Sequence, residues 1–226
     1  MRELLVLIAA GALSLGLAGT ATAQNKGQGL AIVPFAAYNI PGLLATESGV
    51  AEMKPKGAPL VGLQLELGAS KAVSVGLGGG VMLGQSFDLK DLGAGYGSSW
   101  DVSAPQVYGV VSVRPAGRRP NGAVTPLAVE FGGGVAMWRF SRFIDYNNES
   151  FPAASWNNTQ PFVFAGVACN LPIGPRASIQ LFGRVVGAST YVSKGLDDWN
   201  NTDPPSNLKG KFNVGFLVGA GIRVGR

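Results

Sequence analysis

Five ionisable residues fall, at strand spacing, within runs that are otherwise apolar or glycine: Glu66, Arg114, Glu130, Arg184 and Arg223. Gln64 and Gln180 share their parity. Two chemistries suit such a set. Guanidinium and carboxylate groups can pair in a low-dielectric interior and form a hydrogen-bonded plug. The same groups, set apart, line a narrow gated passage. The residues leave both open.

Other chemistry is harder to build. The chain has no His. That removes the commonest general base and every Ser-His or Cys-His nucleophile arrangement. It also removes His-type zinc sites. No catalytic role, no metal and no cofactor are expected. Cys169, the sole cysteine, sits in FVFAGVACNL without a cationic neighbour in sequence. It reads as a small apolar residue. GLGGG (Gly76 to Gly80) and GAGYG (Gly93 to Gly97) do not sit between a strand and a helix, so neither reads as a nucleotide loop. The net charge is +5 and the sequence pI about 9.5. No basic stripe is interleaved with aromatics, so a nucleic-acid partner is not expected.

A third feature is a repeated phrase. SWDVSAP (Ser99 to Pro105), SWNNTQP (Ser155 to Pro161) and DWNNTDPP (Asp198 to Pro205) share Trp, Asp or Asn, any residue, Ser or Thr, any residue, Pro. As structure, it combines an interfacial ring, a side-chain-to-backbone turn and a strand-starting proline. As function, it is an aromatic, Asn-rich patch for glycans or a host surface. The Asn-Asn-Thr matches to the N-glycosylation pattern are treated as accidental. With Trp138, the residues Trp100, Trp156 and Trp199 are expected to gather at one external rim.

The elements that must position these groups are strands. Apolar residues are 46% of the 226 but charged residues only 14%, against about 25% in soluble domains. Gly is over-used, at 34. No helical period persists for three turns. Eight apolar runs, near 28–38, 59–70, 72–86, 105–114, 125–142, 161–171, 176–193 and 211–224, are separated by Pro, Asn, Asp and Gly. Several alternate. Phe212, Val214, Phe216, Val218, Ala220, Ile222 and Val224 share one face of the last run. Asn213, Gly215, Leu217, Gly219, Gly221 and Arg223 share the other. A soluble sandwich turns its bulky face inward and shows charge outside. Here the second face is glycine with scattered Gln, Glu and Arg. That inversion predicts bulky residues toward lipid and glycine toward a narrow closed interior. The connections alternate, four long and three short, matching the long external loops and short periplasmic turns of outer-membrane barrels.

The first residues, MRELLVLIAAGALSLGLAGTATAQ, place an apolar stretch before Ala21-Thr22-Ala23. This reads as an export signal over 1–23, with the barrel domain over 24–226. The long connections carry ten acids against five bases, whereas the short-connection side is basic. Arg139 and Arg142 read either as contacts for lipopolysaccharide phosphates or as solvated rim charges.

With VGLGGGVMLG, VEFGGGVAMW and VGFLVGAGIRVG, the chain resembles the small eight-stranded outer-membrane β-barrel family, similar to the transmembrane domain of OmpA and to OmpX and OmpW. The resemblance implies an all-β, eight-stranded antiparallel up-and-down transmembrane β-barrel in the outer membrane. It implies outer-membrane lipid, lipopolysaccharide and the barrel-insertion machinery as partners, with any external ligand unknown. Such barrels usually end in an aromatic residue; this chain ends Arg223-Val224-Gly225-Arg226. The expected role is structural, surface-binding or adhesive, without catalysis. The alternative is a small porin-like pore for ions or apolar solutes.

Overall fold

The computed structural model describes residues 29–42, 45–47, 51–70, 72–91, 97–114, 126–144, 150–152, 157–188, 209–210 and 212–225. The expected export signal lies outside them. Among the described residues twelve strands follow one another: β1 (Leu30–Ile40), β2 (Ala45–Glu47), β3 (Ala51–Pro55), β4 (Ala58–Gly68), β5 (Val73–Asp91), β6 (Gly97–Val113), β7 (Leu127–Ile144), β8 (Ser150–Pro152), β9 (Asn157–Pro172), β10 (Ala177–Ala188), β11 (Lys209–Gly210) and β12 (Asn213–Gly225).

Eight of these form the wall. Each pairs antiparallel with the next along β1, β4, β5, β6, β7, β9, β10 and β12, and β12 returns to β1. The sheet is therefore a closed up-and-down barrel, as the alternation predicts. Closure leaves no backbone edge in the wall, which a strand structure needs in order to sit in lipid.

The register sets the tilt. From Glu66, partners run through Gly76, Val110, Gly132, Phe164 and Val186 to Gly215 on β12. In the other direction Glu66 reaches Gly225 through Ala31. The ladder thus closes with an offset of ten residues, from Gly215 to Gly225. Such a stagger accompanies strands tilted by about 35–45°.

Side chains alternate across this wall without regard to the usual rule for soluble proteins. Phe216 is 52% exposed, Val163 61% and Phe131 50%, while Glu66 and Glu130 are 1% and 0% exposed. The outer face is a continuous apolar band, the surface a membrane-embedded barrel presents to lipid. Glycine on the inner face has a specific use. A Cβ at Gly78 would collide with the Tyr108 ring, one at Gly62 with Phe35, and one at Gly132 with Phe164. Each missing side chain is a seat for a large one from another strand.

The long connections differ from expectation. β5 and β6 stay paired from Val73–Val113 up to Lys90–Gly97, far above the roughly ten residues that cross a bilayer. The connection expected over 87–104 is thus mostly strand. Likewise β2 and β3 occupy the first long connection, and the raised sheet runs β11, β2, β3, β5, β6, β7, β8. The ladder shifts register between Met82 and Gln85, where Gly84 adopts φ 62°. Glycine takes this left-handed conformation without a Cβ clash.

Candidate functional site

The interior is the candidate site, and its strata follow from the closure offset. Ten residues of stagger spread over eight strands move the level by a little over one residue per strand. This brings Ser74, Ser112, Ala128, Asn170, Gln180 and Arg223 to the height of Glu66. All are buried, and all but Ala128 are polar. Glu66 organises this base. Its Oε2 faces the Arg114 guanidinium at 3.3 Å and that of Arg223 at 3.4 Å. Its Oε1 accepts from Gln64 Nε2 at 2.9 Å, and Arg114 also donates to Ser74 Oγ at 2.9 Å.

Above the base sits a plug built on Arg184. Its Nε and a terminal nitrogen reach Glu130 Oε2 at 2.9 and 2.8 Å. It also donates to Gln64 Oε1 at 3.1 Å, which accepts from the Tyr108 hydroxyl at 3.2 Å. The guanidinium lies over the rings of Phe182, Phe164 and Tyr108, 4.6, 4.8 and 5.5 Å from their centroids. Phe35 closes edge-on against Phe182 at 5.7 Å. Charge pairing and cation–π contact together hold this cation in a buried centre. The glycines at 62, 78 and 132 make room for the rings.

The structure therefore places all five charged residues inside and brings them together in two clusters, Arg114–Glu66–Arg223 and Arg184–Glu130. Gln64 joins them by accepting from Arg184 and donating to Glu66.

Toward the long-connection end the interior opens into a cup of about 60 Å³. Leu60, Met82, Phe162, Phe164, Val186 and Leu217 supply most of its apolar wall, and Arg184 and Tyr108 contribute to its lining from below. Trp138 and Gln160 stand on adjacent strands; Trp138 Nε1–H donates to Gln160 Oε1 at 3.1 Å. Gln160 Nε2 has no hydrogen-bond partner, although the residue is 2% exposed. Near the base, Ser112 Oγ, both Asn170 amide atoms and Glu130 Oε1 lack one as well.

The tryptophans divide. Trp138, expected at the external rim, points inward and is 4% exposed. The reason is parity: counting by twos from buried Glu130 reaches Trp138. The backbone at Trp100 is in β6, opposite Phe87 and Phe143. Trp156 and Trp199 lie outside the described residues. The repeated phrase does not form a local turn where it is described. Ser99–Pro105 lies in strand β6 and contains the β6–β7 register shift between Asp101 and Val102, and Asn157–Pro161 pairs Arg139–Val135. Cross-strand ladder bonds take the backbone groups that a side-chain turn would have used. Arg139 is exposed at the upper part of β7.

Sequence reasoning missed Tyr108, Gln160, Asn170 and Ser112 as interior groups. Parity within their own strands points to them: Tyr108 and Ser112 share the face of Arg114, and Gln160 that of Asn170. Among the described residues, no three His, Cys, Asp or Glu converge as a metal would require.

No protein-family profile and no curated protein sequence matches the chain. Among solved structures, it is similar to Ail, the attachment invasion locus protein of Yersinia pestis, at 12% identity and a TM-score of 0.45, covering 88% of this chain and 99% of that one. It is similar to the outer membrane protein OprG from Pseudomonas aeruginosa at 10% identity and a TM-score of 0.44, covering 88% and 96%. It is also similar to the outer membrane protease OmpT from Escherichia coli at 10% identity and a TM-score of 0.46, covering 88% and 97%. Likenesses this distant assign no activity to this chain.

Proposed function

We propose that this chain is an integral outer-membrane barrel with a structural, surface-binding or adhesive role and no catalytic step. The observation that carries the reading is the radial order: a lipid-suited apolar band outside, and an ion-paired, ring-covered plug at the centre. The plug makes the barrel an anchor rather than a conduit. What the anchor presents outward is the cup and the raised sheet on one side of it. On this reading its partners are outer-membrane lipid, lipopolysaccharide near Arg139, and the insertion machinery during assembly. Export depends on the signal over 1–23.

The test is planar-bilayer conductance of the refolded mature protein, with heat-modifiable gel migration as the folding control. A folded, electrically silent barrel is expected. Discrete openings altered by Glu66→Gln or Arg184→Gln would overturn the anchor reading in favour of a pore.

A further inference from the structure

The cup pairs a mainly apolar wall with one buried donor, Gln160 Nε2, that no group among the described residues accepts. Gln160 is fixed from one side, because its Oε1 accepts from Trp138. That orients the amide and leaves Nε2 as the free end, on a residue that lines the cavity. A buried donor without an acceptor costs on the order of a few-fold to a hundredfold in stability, unless something completes it. The completing group must be an acceptor, and the rest of what enters meets a mainly apolar wall, because Phe162, Phe164, Met82, Leu60 and Leu217 supply much of the lining, with the amides of Asn39, Gln106 and Asn213 beside them.

The charge below does not call for an anion. Arg184 is already bonded to Glu130 and covered by three rings. Size narrows the choice further. A water takes about 10–15 Å³ of such room, so 60 Å³ holds a body of roughly four or five non-hydrogen atoms. Anything longer must extend toward the long connections.

We propose that the cup is a binding site for a small neutral molecule with an apolar end and one hydrogen-bond acceptor, of the ketone, ester or amide class, whose acceptor takes the Gln160 Nε2–H. The site is a blind pocket, closed below by the Arg184 plug. It goes beyond the anchoring role and does not depend on whether the barrel conducts.

The test uses the full mature barrel in lipid nanodiscs. 2-Butanone is titrated while the Gln160 side-chain amide is followed by NMR. Its isostere 2-methyl-1-butene, which has a CH₂ in place of the carbonyl oxygen, is titrated in parallel. Saturation by the ketone, with the alkene on the order of tenfold weaker, supports the site. Gln160→Met should bring the two probes to equal affinity, read from the shifts of methyls lining the cup. Ala136→Leu, which fills the cavity from the wall, should abolish saturation while the barrel keeps its heat-modifiable migration. A linear, non-saturating response, as partition into lipid gives, overturns the proposal. So does equal affinity for ketone and alkene in the unaltered protein. The probe comparison needs no variant to fold.

Discussion

Replacing Arg184 by Met tests the plug directly. In the native barrel Glu130 is 0% exposed, its Oε2 takes both donors of Arg184, and its Oε1 has no partner. Methionine fills much of the Arg stem but donates nothing. Glu130 then keeps its burial and loses both bonds. Breaking a buried pair from one side costs about 3–5 kcal/mol. Loss of the Gln64 bond and of three ring contacts pushes Arg184→Met toward the upper end of that range. The double variant Arg184→Met, Glu130→Leu removes both charges together. It should recover most of the loss, because an apolar replacement of a buried pair is often neutral or stabilising. Equilibrium urea unfolding in lipid vesicles, read by tryptophan fluorescence and gel migration, measures both. A single-variant loss below about 1 kcal/mol would refute the reasoning, since an orphaned buried carboxylate must cost more than that. A double variant as unstable as the single would refute it too, by showing that ring packing rather than charge pairing carries the energy.

Two further outcomes follow from the wall. Gly78→Ala should lose about 1–3 kcal/mol in the same unfolding assay, because the new methyl meets the Tyr108 ring, whereas Gly109→Ala, with open space at its Cβ, should change stability by no more than about 0.5 kcal/mol. Val218→Asp, on the apolar band and 49% exposed, should weaken assembly by roughly 2–4 kcal/mol or less, seen as loss of the heat-modifiable band; a variant that folds normally and stays water-soluble would remove the lipid-facing assignment.

The fold was legible because alternation has a period of two and the two faces here differ sharply in size. Val214, Phe216 and Val218 against Gly215, Leu217 and Gly219 settle which way β12 faces once the inversion is recognised. The interior charges were legible for the same reason. The upper wall was not. Asp, Ser, Lys and Gly over 85–91 and 97–101 suggest a loop, yet pairing between β5 and β6 holds these two stretches in a ladder. Cross-strand partners distant in sequence decide that, and composition does not report them. Trp138 shows a different failure. Its residue type suits a membrane interface, but the parity of β7 carries it inside. Which interior groups meet depends on the ten-residue offset, which appears only when the ring is closed.

The seam between β1 and β12 has a consequence for biosynthesis. Ala31 pairs with Gly225, and Ile40 with Phe216. The first wall strand to leave the ribosome must wait for the last before either has its full complement of bonds. Until then the nascent chain carries two unfinished rims that hydrocarbon will not accept. Insertion strand by strand is therefore disfavoured, because the wall satisfies its backbone groups only once β12 is present to pair with β1. A product cut short before β12 cannot close, which makes ring completion itself a checkpoint that separates full-length protein from fragments.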